Sequence, residues 1–405
     1  MADVEDYKSE IAKLKKRLAA IEKQKKETPL DTSKFEKTTP SSNATDKTTD
    51  RKIDAAIGTS QKTIVSMERG AREGAERPSG PVGLDVGTSN VVMAQNRGDK
   101  IQIVRQLNAF FTIPQSKFTR KILEQNDVMF FELEGQYYII GFSAEDFANL
   151  FNANTRRPVE MGLLSAKENE GIKIIQAIIG TIIQKPKKFG EIACFSIPGE
   201  PLEGTAFVAG HESLIKKYLE SMGYSPISIN EGLAIVMSEM VDDNFTGIGI
   251  SMGGGMCNVC LSYLSVPVIT FSIQRGGDYI DTMVSHDVGL SATKVKGIKE
   301  ESLDLTVLPR NRIETSLHMH YLDLVYTLIH SIQRVISASD RIPKIAAPIP
   351  IVLSGGTAMP KGCKENFETA LKTVRLPIEI SSVRMAKEPL NTTSKGALVM
   401  AVTEA

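Results

Sequence analysis

Residues 82–92 read VGLDVGTSNVV, and this stretch decides the fold. Apolar runs on both sides of a short glycine turn are typical of two adjacent strands joined tightly. A further apolar run at 101–104 extends the pattern to a three-strand meander. The same pattern returns between residues 247 and 273, and each copy is followed by mixed helices and strands. The sequence therefore predicts an α/β protein with an internal structural duplication, whose halves face each other across a cleft.

The first glycine turn has the chemistry of a phosphate-binding loop. Gly87 lets the backbone approach an anion closely, and the N–H groups of Thr88, Ser89 and Asn90 would point at phosphate oxygens. Asp85 ends the first strand and would hold Mg²⁺ through water, since that ion keeps much of its hydration shell. An ordinary hairpin turn is the alternative interpretation of this stretch alone.

Two more glycine turns follow apolar runs. Residues 250–258 read ISMGGGMCN, and residues 351–360 read IVLSGGTAMP. The second turn would form another backbone concavity of phosphate size, and the third would pack against a base and ribose. The candidate nucleotide-binding residues in these two turns are Gly253, Gly254, Gly255, Gly355, Gly356 and Thr357.

Composition favours a soluble, cytoplasmic, two-domain protein. The chain has 405 residues, 41% of them hydrophobic, and single cores stop growing at about 250–300 residues. Lys plus Arg number 48 and Asp plus Glu also number 48, so the formal net charge is zero. The protein as a whole therefore has no electrostatic field that would attract nucleic acid. Four cysteines suit a reducing compartment, and Cys257 and Cys260 would point to opposite faces of a strand as structural thiols. No signal peptide is predicted, because the N-terminus is charged from Asp3 onward. No membrane span is predicted, because the most apolar stretch, 174–183, is too short.

The first 80 residues differ from the rest. Residues 1–27 carry a heptad pattern, which predicts a short coiled-coil helix that needs a partner; a lone amphipathic helix is the alternative. The apolar positions of this pattern, within residues 4–21, are Val4, Tyr7, Ile11, Leu14, Leu18 and Ile21. Peripheral membrane contact is less favoured, because acidic residues are mixed through the polar face. We interpret residues 28–80 as a disordered linker. Residues 28 to about 62 are rich in Thr, Ser, Lys and Asp, and the piece after them ends in a stretch rich in Gly, Arg and Glu.

The three glycine turns together resemble the phosphate 1, phosphate 2 and adenosine motifs of the actin, sugar-kinase and heat-shock-chaperone ATPase superfamily. Within it, the chain is most similar to the bacterial actins of the MreB and MamK type. The resemblance covers about residues 81–405. The other segments that carry it are 157–164 (RPVEMGLL), 231–235 (EGLAI), 276–281 (GGDYID) and 396–397 (GA).

The resemblance implies two lobes with RNase H-like cores and a cleft that holds ATP and Mg²⁺. Glu231 matches the acid that helps to position the attacking water in MreB-like proteins. Glu231 and Asp85 are the candidate catalytic residues. The alternative for Glu231 is a solvated acid at a helix N-terminus, favoured there by the helix dipole. Residues 196–200 match a region that lines the cleft.

The second turn departs from the family pattern. Ser251 stands where the family usually has an acidic residue, and Met256 and Cys257 follow the glycines where a threonine is common. A serine supplies no negative charge to hold Mg²⁺ and its water, and loss of one positioned polar group commonly costs a factor of about 10² in rate. We therefore expect nucleotide binding with, at most, weak ATPase activity.

The resemblance also implies a domain organisation and three functional alternatives. Lobe I would span 81–240 with a small insert at about 106–160, lobe II would span 241–390, and a closing helix at 391–405 would return to lobe I. The leading hypothesis is a cytoskeletal protein that stacks head to tail into ATP-regulated filaments. The second is a non-filamentous scaffold or adaptor of the FtsA or PilM type, and the third is a small-molecule kinase.

Overall fold

The structure, a computed structural model, describes most of the chain from residue 80 onward. The coiled coil predicted at 1–27 and nearly all of the linker predicted at 28–80 lie outside the described residues. Residues after 80 that also lie outside them are 98–99, 151–153, 166, 169, 204–207, 341, 344 and 346.

The first lobe is built on a five-stranded sheet with the order β10-β9-β1-β2-β3. Its strands are β1 (Val82–Val86), β2 (Asn90–Arg97), β3 (Lys100–Leu107), β9 (Ile192–Ile197) and β10 (Ser225–Asn230). The first three form the predicted antiparallel meander, while β9 pairs in parallel with both β1 and β10. Helices α3 (Gly171–Ile182) and α4 (Val208–Met222) bury their apolar faces against this sheet.

A smaller unit is inserted between β3 and α3. It consists of a three-stranded antiparallel sheet, two helices and a two-stranded hairpin. Its elements are β4 (Phe110–Pro114), α1 (Lys117–Gln125), β5 (Phe130–Leu133), β6 (Gln136–Ile140), α2 (Phe142–Leu150), β7 (Val159–Glu160) and β8 (Leu163–Leu164). The β7–β8 hairpin leads the chain back to the first lobe.

The second lobe is built on a sheet with the order β13-β12-β11-β14-β15. Its strands are β11 (Gly247–Met252), β12 (Cys257–Tyr263), β13 (Val266–Ile273), β14 (Ile349–Ser354) and β15 (Ile380–Met385). An antiparallel meander is again followed by two parallel strands, so both large sheets have one topology. The helices of this lobe are α6 (Gly277–Val288), α7 (Ala292–Ser302), α8 (Arg312–Ser337) and α9 (Cys363–Leu371), with a 3₁₀ turn at Gly356–Ala358.

Two helices join the lobes. They are α5 (Glu231–Glu239) and α10 (Thr392–Thr403), and they share an apolar cluster with residues of both large sheets. Their backbones approach closely, because Gly396 lacks a side chain: a Cβ there would lie 1.8 Å from the carbonyl oxygen of Ala234. The central strands are covered on both faces, which explains why β11 is buried at every residue.

All four cysteines are free and buried. Cys257 lies in the core of the second lobe, while Cys260, three residues along β12, lies in the apolar cluster shared with α5 and α10. Burial raises the pKa of Cys194, Cys260 and Cys363 to about 12, and it raises the pKa of Cys257 as well. Among the described helices, none combines the length and apolar character needed to cross a membrane.

Candidate functional site

The three glycine turns lie at the same end of their sheets, between the lobes. The turn at 87–90 follows β1, and the turn at 253–255 follows β11. A Cβ on Gly254 would lie 2.3 Å from the Ser89 hydroxyl oxygen, and one on Gly255 would lie 2.4 Å from the Thr88 hydroxyl oxygen. The first and second turns therefore meet across the cleft, and only glycines fit on the second-lobe side.

The first turn is held by short hydrogen bonds. Gly87 N donates to Asn90 O at 3.0 Å, and the Asn108 side chain donates to Gly87 O at 2.7 Å. Asn108 N also donates to Ser89 O at 2.9 Å. The Thr88 hydroxyl accepts from the backbone N–H of Gly162, at the tip of the β7–β8 hairpin, at 2.9 Å. The turn is thus fixed before any ligand binds.

The second turn is held by the third turn and by α6. The Thr357 hydroxyl donates to Gly253 O at 2.8 Å, and Gly277 N donates to the same oxygen at 3.0 Å. Asp278 N donates to Gly254 O at 2.8 Å. These bonds occupy the carbonyl groups of Gly253 and Gly254, while Gly253 N donates to Met256 O at 2.9 Å.

Four backbone N–H groups of the facing turns have no acceptor. They belong to Thr88, Ser89, Gly254 and Gly255, and they donate no hydrogen bond to any described residue. Thr88 and Gly255 are buried and the other two are partly buried, so these groups would be costly to leave unpaired. Converging unpaired N–H groups fit an anion such as a phosphate.

Asp85 lies at the end of β1, where β9 supplies a partner. The Ser196 hydroxyl donates to Asp85 Oδ1 at 2.8 Å and accepts from Val86 N at 3.0 Å. Burial raises the pKa of Asp85 to about 6, against the lowering effects of Ser196 and of the Arg105 guanidinium.

Glu231 begins α5 and lies close to Asp85. Burial, and then the negative charge of Asp85, raise the pKa of Glu231 to about 8. The Asn258 amide donates to Glu231 Oε2 at 2.9 Å, and the Ser251 side chain makes a further hydrogen bond to this carboxyl group. These hydrogen bonds therefore fix the carboxyl group of Glu231, which is partly buried and not fully solvated.

The two carboxyl groups fit a divalent cation. Burial raises the pKa of both groups, and the negative charge of Asp85 raises that of Glu231 further. A cation between the two carboxyl groups would offset both effects. Mg²⁺ needs few protein ligands, since it keeps several waters and takes others from phosphate. Within the described part of the chain, no group of three or more His, Cys, Asp or Glu side chains is placed to bind a metal by itself.

Hydrogen bonds cross between the lobes on both sides of the turns. Arg157, which precedes the β7–β8 hairpin, donates to Asp278 Oδ2 of the second lobe at 2.7 Å. Gly199, after β9, donates its N–H to Asn258 Oδ1 at 2.8 Å, and its carbonyl accepts from the Ser272 hydroxyl at 2.8 Å. Asn258 thus connects the first lobe, the second lobe and Glu231.

The structure brings the sequence-predicted residues together around one cleft. Asp85 and Glu231 are neighbours, and the three turns adjoin one another. Sequence reasoning did not assign the parts played by Asn108, Ser196 and Asn258. Ser196 ends a strand before a turn, which is a weak signal, and Asn258 closes the second glycine stretch; nothing in the sequence marks Asn108.

The raised pKa of Glu231 predicts an unusual pH dependence of stability. Its ordinary pKa is 4.5 and its folded pKa is about 8, so the folded protein holds this proton more tightly than the unfolded chain. Stability is therefore lost as pH rises from about 4.5 to about 8. We expect Glu231→Gln to be more stable than wild type by about 1–3 kcal/mol at pH 8 and nearly equal at pH 5.

Thermal unfolding without nucleotide or metal checks this prediction. Glu239→Gln, at the other end of α5, is the matched control and should show no such pH-dependent gap. A Glu231→Gln gap of equal size at pH 5 and pH 8 would contradict the burial and charge argument.

Comparison with known proteins identifies solved structures with a similar fold. The chain is similar to MamK in its double helical filament, with 17% identity over 80% of this chain and 98% of that one and a TM-score of 0.61. It is similar to MreB5 of Spiroplasma citri bound to ADP, with 14% identity over 81% of this chain and 97% of that one and a TM-score of 0.57. The structure of the same protein bound to AMPPNP is similar as well, with 15% identity over 82% of this chain and 98% of that one and a TM-score of 0.57.

No curated protein matches the sequence. The solved structures confirm the predicted actin-like fold, close to MreB and MamK. The family model described as Volactin matches residues 81–401, which is most of the chain. The protein therefore belongs to the Volactin family and has an actin-like fold.

Proposed function

We propose that this protein is a cytoskeletal ATP-binding protein that assembles head to tail into filaments, with nucleotide in the cleft regulating assembly. The observation that carries the proposal is the set of unpaired N–H groups on two facing turns, directly beside two carboxyl groups. A triphosphate with Mg²⁺ would satisfy both sets of groups. Its phosphate oxygens would accept hydrogen bonds from the N–H groups of the turns, and the Mg²⁺ ion would neutralise the negative charge of the two carboxylates.

The residues divide between binding and chemistry. The turns at 87–90 and 253–255 would hold the phosphates, and the turn at 355–357 would lie against the base and ribose. Asp85 would hold Mg²⁺ through water, and Glu231 would orient the water that attacks the terminal phosphate. The Mg²⁺ ion, when bound, would neutralise the charge that develops on the phosphate oxygens.

The similarity to a filament structure and to nucleotide-bound structures supports this proposal. The compared MamK structure is a filament, and the compared MreB5 structures hold ADP and AMPPNP. For this chain, sedimentation and negative-stain microscopy with Mg²⁺ and ATP, ADP or no nucleotide provide the test. We expect polymer with ATP. If the protein binds ATP and stays monomeric at every concentration tested, the proposal that it forms filaments is wrong.

Ser251 should limit hydrolysis. It lies buried on β11 with its side chain bonded to Glu231, where an aspartate would add a negative charge beside the metal. We expect Ser251→Asp to release phosphate from ATP at least about 10-fold faster than wild type, and to be less stable without metal because three carboxyl groups would then repel one another. Phosphate release and metal-free thermal unfolding measure these effects, and equal rates would contradict this interpretation.

The same serine favours a second candidate, an ATP-binding adaptor. A site without the third acid would keep nucleotide bound for long periods and serve as a scaffold. An adaptor would bind ATP without polymer and without appreciable phosphate release, so the sedimentation experiment separates the two candidates.

We further propose the domain limits given above for the two lobes. We also propose that the heptads at residues 4–21 bundle filaments or recruit cargo. Pelleting of protein that lacks residues 1–80, beside the full chain, tests that role. Assembly should be retained and bundling lost.

A further inference from the structure

One end of the second lobe carries an exposed apolar patch. We call it the amino-edge patch, and it consists of Val241, Leu264 and Val266, which are 58%, 55% and 62% exposed. Leu264 and Val266 flank the turn between β12 and β13, and Val241 lies in the loop that enters β11. Since β11 begins and β12 ends at this edge, the patch lies on the side of the sheet opposite the glycine turns.

The turn in this patch is strained and firmly held. Leu264 and Ser265 have φ values of 50° and 66°, a left-handed conformation that is costly for residues other than glycine, asparagine and aspartate. Leu264 N donates to the Thr246 hydroxyl at 3.0 Å, and Ser265 N donates to Phe245 O at 3.2 Å. This two-residue hairpin turn therefore presents a leucine to solvent at a position where glycine, asparagine or aspartate is usual.

The opposite end of the same lobe carries a second exposed apolar pair. We call it the carboxyl-edge patch, and it consists of Val307 and Leu308, in the loop between α7 and α8; Leu308 is 49% exposed. This loop is fixed beyond the carboxyl end of β14, because Leu305 N donates to Lys361 O at 2.8 Å. The two patches therefore lie at opposite ends of the sheet, whose strands β11 and β14 each span about 20 Å.

The charges beside the two patches are complementary. Asp242 follows Val241 and is exposed, and Arg310 lies two residues after Leu308 and is also exposed. Neither side chain forms an ion pair with a described residue. An acidic group beside one patch and a basic group beside the other would attract copies of the chain in a single orientation.

From these features we infer that the amino-edge patch of one copy docks on the carboxyl-edge patch of the next copy, with Asp242 facing Arg310. Two different patches at opposite ends of one lobe form a heterologous contact, which repeats without closing and produces a filament. The inference rests on the proposed filament and names the surface that builds it.

Leu264→Asp and Leu308→Asp test this interface. Each places a charge in an apolar contact, and we expect each to raise the concentration needed for ATP-dependent pelleting at least about 10-fold. Aspartate tolerates the left-handed conformation better than leucine, so Leu264→Asp keeps the fold. Phe189→Asp is the matched control: Phe189 is 92% exposed on the first lobe, and its replacement should leave pelleting unchanged.

A mixture of the two variants tests the head-to-tail geometry. Leu264→Asp keeps an intact carboxyl-edge patch, and Leu308→Asp keeps an intact amino-edge patch. Above the wild-type assembly concentration the equimolar mixture should therefore form pairs of two chains and no polymer, as measured by analytical ultracentrifugation. Each variant alone should remain monomeric.

Calorimetric titration with ATP in the presence of Mg²⁺ separates failure of this interface from failure of the proposed function. Wild-type affinity for ATP in both variants, with lost assembly, supports the interface. Suppose that the wild type pellets and that either variant needs no higher concentration for pelleting than Phe189→Asp does. The proposed interface is then wrong, while the proposal of a filament is retained. If wild type never assembles, the filament and this interface fail together.

Discussion

Replacing Gly396 with alanine is expected to lower the free energy of unfolding by about 3 kcal/mol. The new Cβ would lie 1.8 Å from the carbonyl oxygen of Ala234 and 2.4 Å from its carbonyl carbon. Both are backbone atoms of α5, so no side-chain rotation relieves the clash. Helices α5 and α10 would have to separate, and the apolar cluster that joins the lobes would open.

Gly297→Ala is a matched control for this substitution. Gly297 also lies inside a helix, α7, but a Cβ there would meet no atom within 4 Å. Because alanine is the better helix former, this variant should be as stable as wild type or more stable by up to about 1 kcal/mol. Urea and thermal unfolding of both variants check the prediction, and similar midpoints for the two would contradict the close approach of α5 and α10.

The second large effect concerns hydrolysis. We expect Glu231→Gln to lower the rate of phosphate release from bound ATP by a factor of about 10² or more. Glutamine keeps the shape of the side chain and can still accept from the Asn258 amide, but it cannot take a proton from water. ATP affinity should change little, because the phosphates are held by backbone N–H groups.

Single-turnover phosphate release and titration of ATP binding measure these two quantities separately. Glu239→Gln again serves as the control, since it makes the same chemical change on α5 away from the cleft. A Glu231→Gln protein that releases phosphate at the wild-type rate would show that this acid takes no part in the reaction.

Much of the fold could be predicted from local patterns. The short apolar runs at 82–86 and 192–197 predict strands, and the limits of β1 and β9 match these two runs residue for residue. The apolar pattern at about 165–184 predicts a helix, but α3 begins only at Gly171. Helix α7 was not predicted, because only Val295 and Lys299 are buried along its length and its sequence has little apolar periodicity.

The candidate site could be predicted only where backbone shape decides the chemistry. Glycine turns are visible in a sequence, since few other residues allow such close approach. Ser196 and Asn258 are ordinary polar residues, and their contacts depend on parallel strand pairing and on the approach of the two lobes. Such contacts join residues distant along the chain, as in the 111-residue separation between Asp85 and Ser196, and local periodicity does not encode them.

The burial of every native thiol has a practical consequence for labelling. Thiols that are shielded from solvent and have a raised pKa are almost fully protonated near neutral pH, and they react slowly with maleimides. A cysteine introduced at an exposed position, such as Phe189→Cys, would therefore carry a fluorescent dye at one defined place without removal of Cys194, Cys257, Cys260 or Cys363. Single-molecule fluorescence could then follow individual molecules of this protein on an otherwise native background.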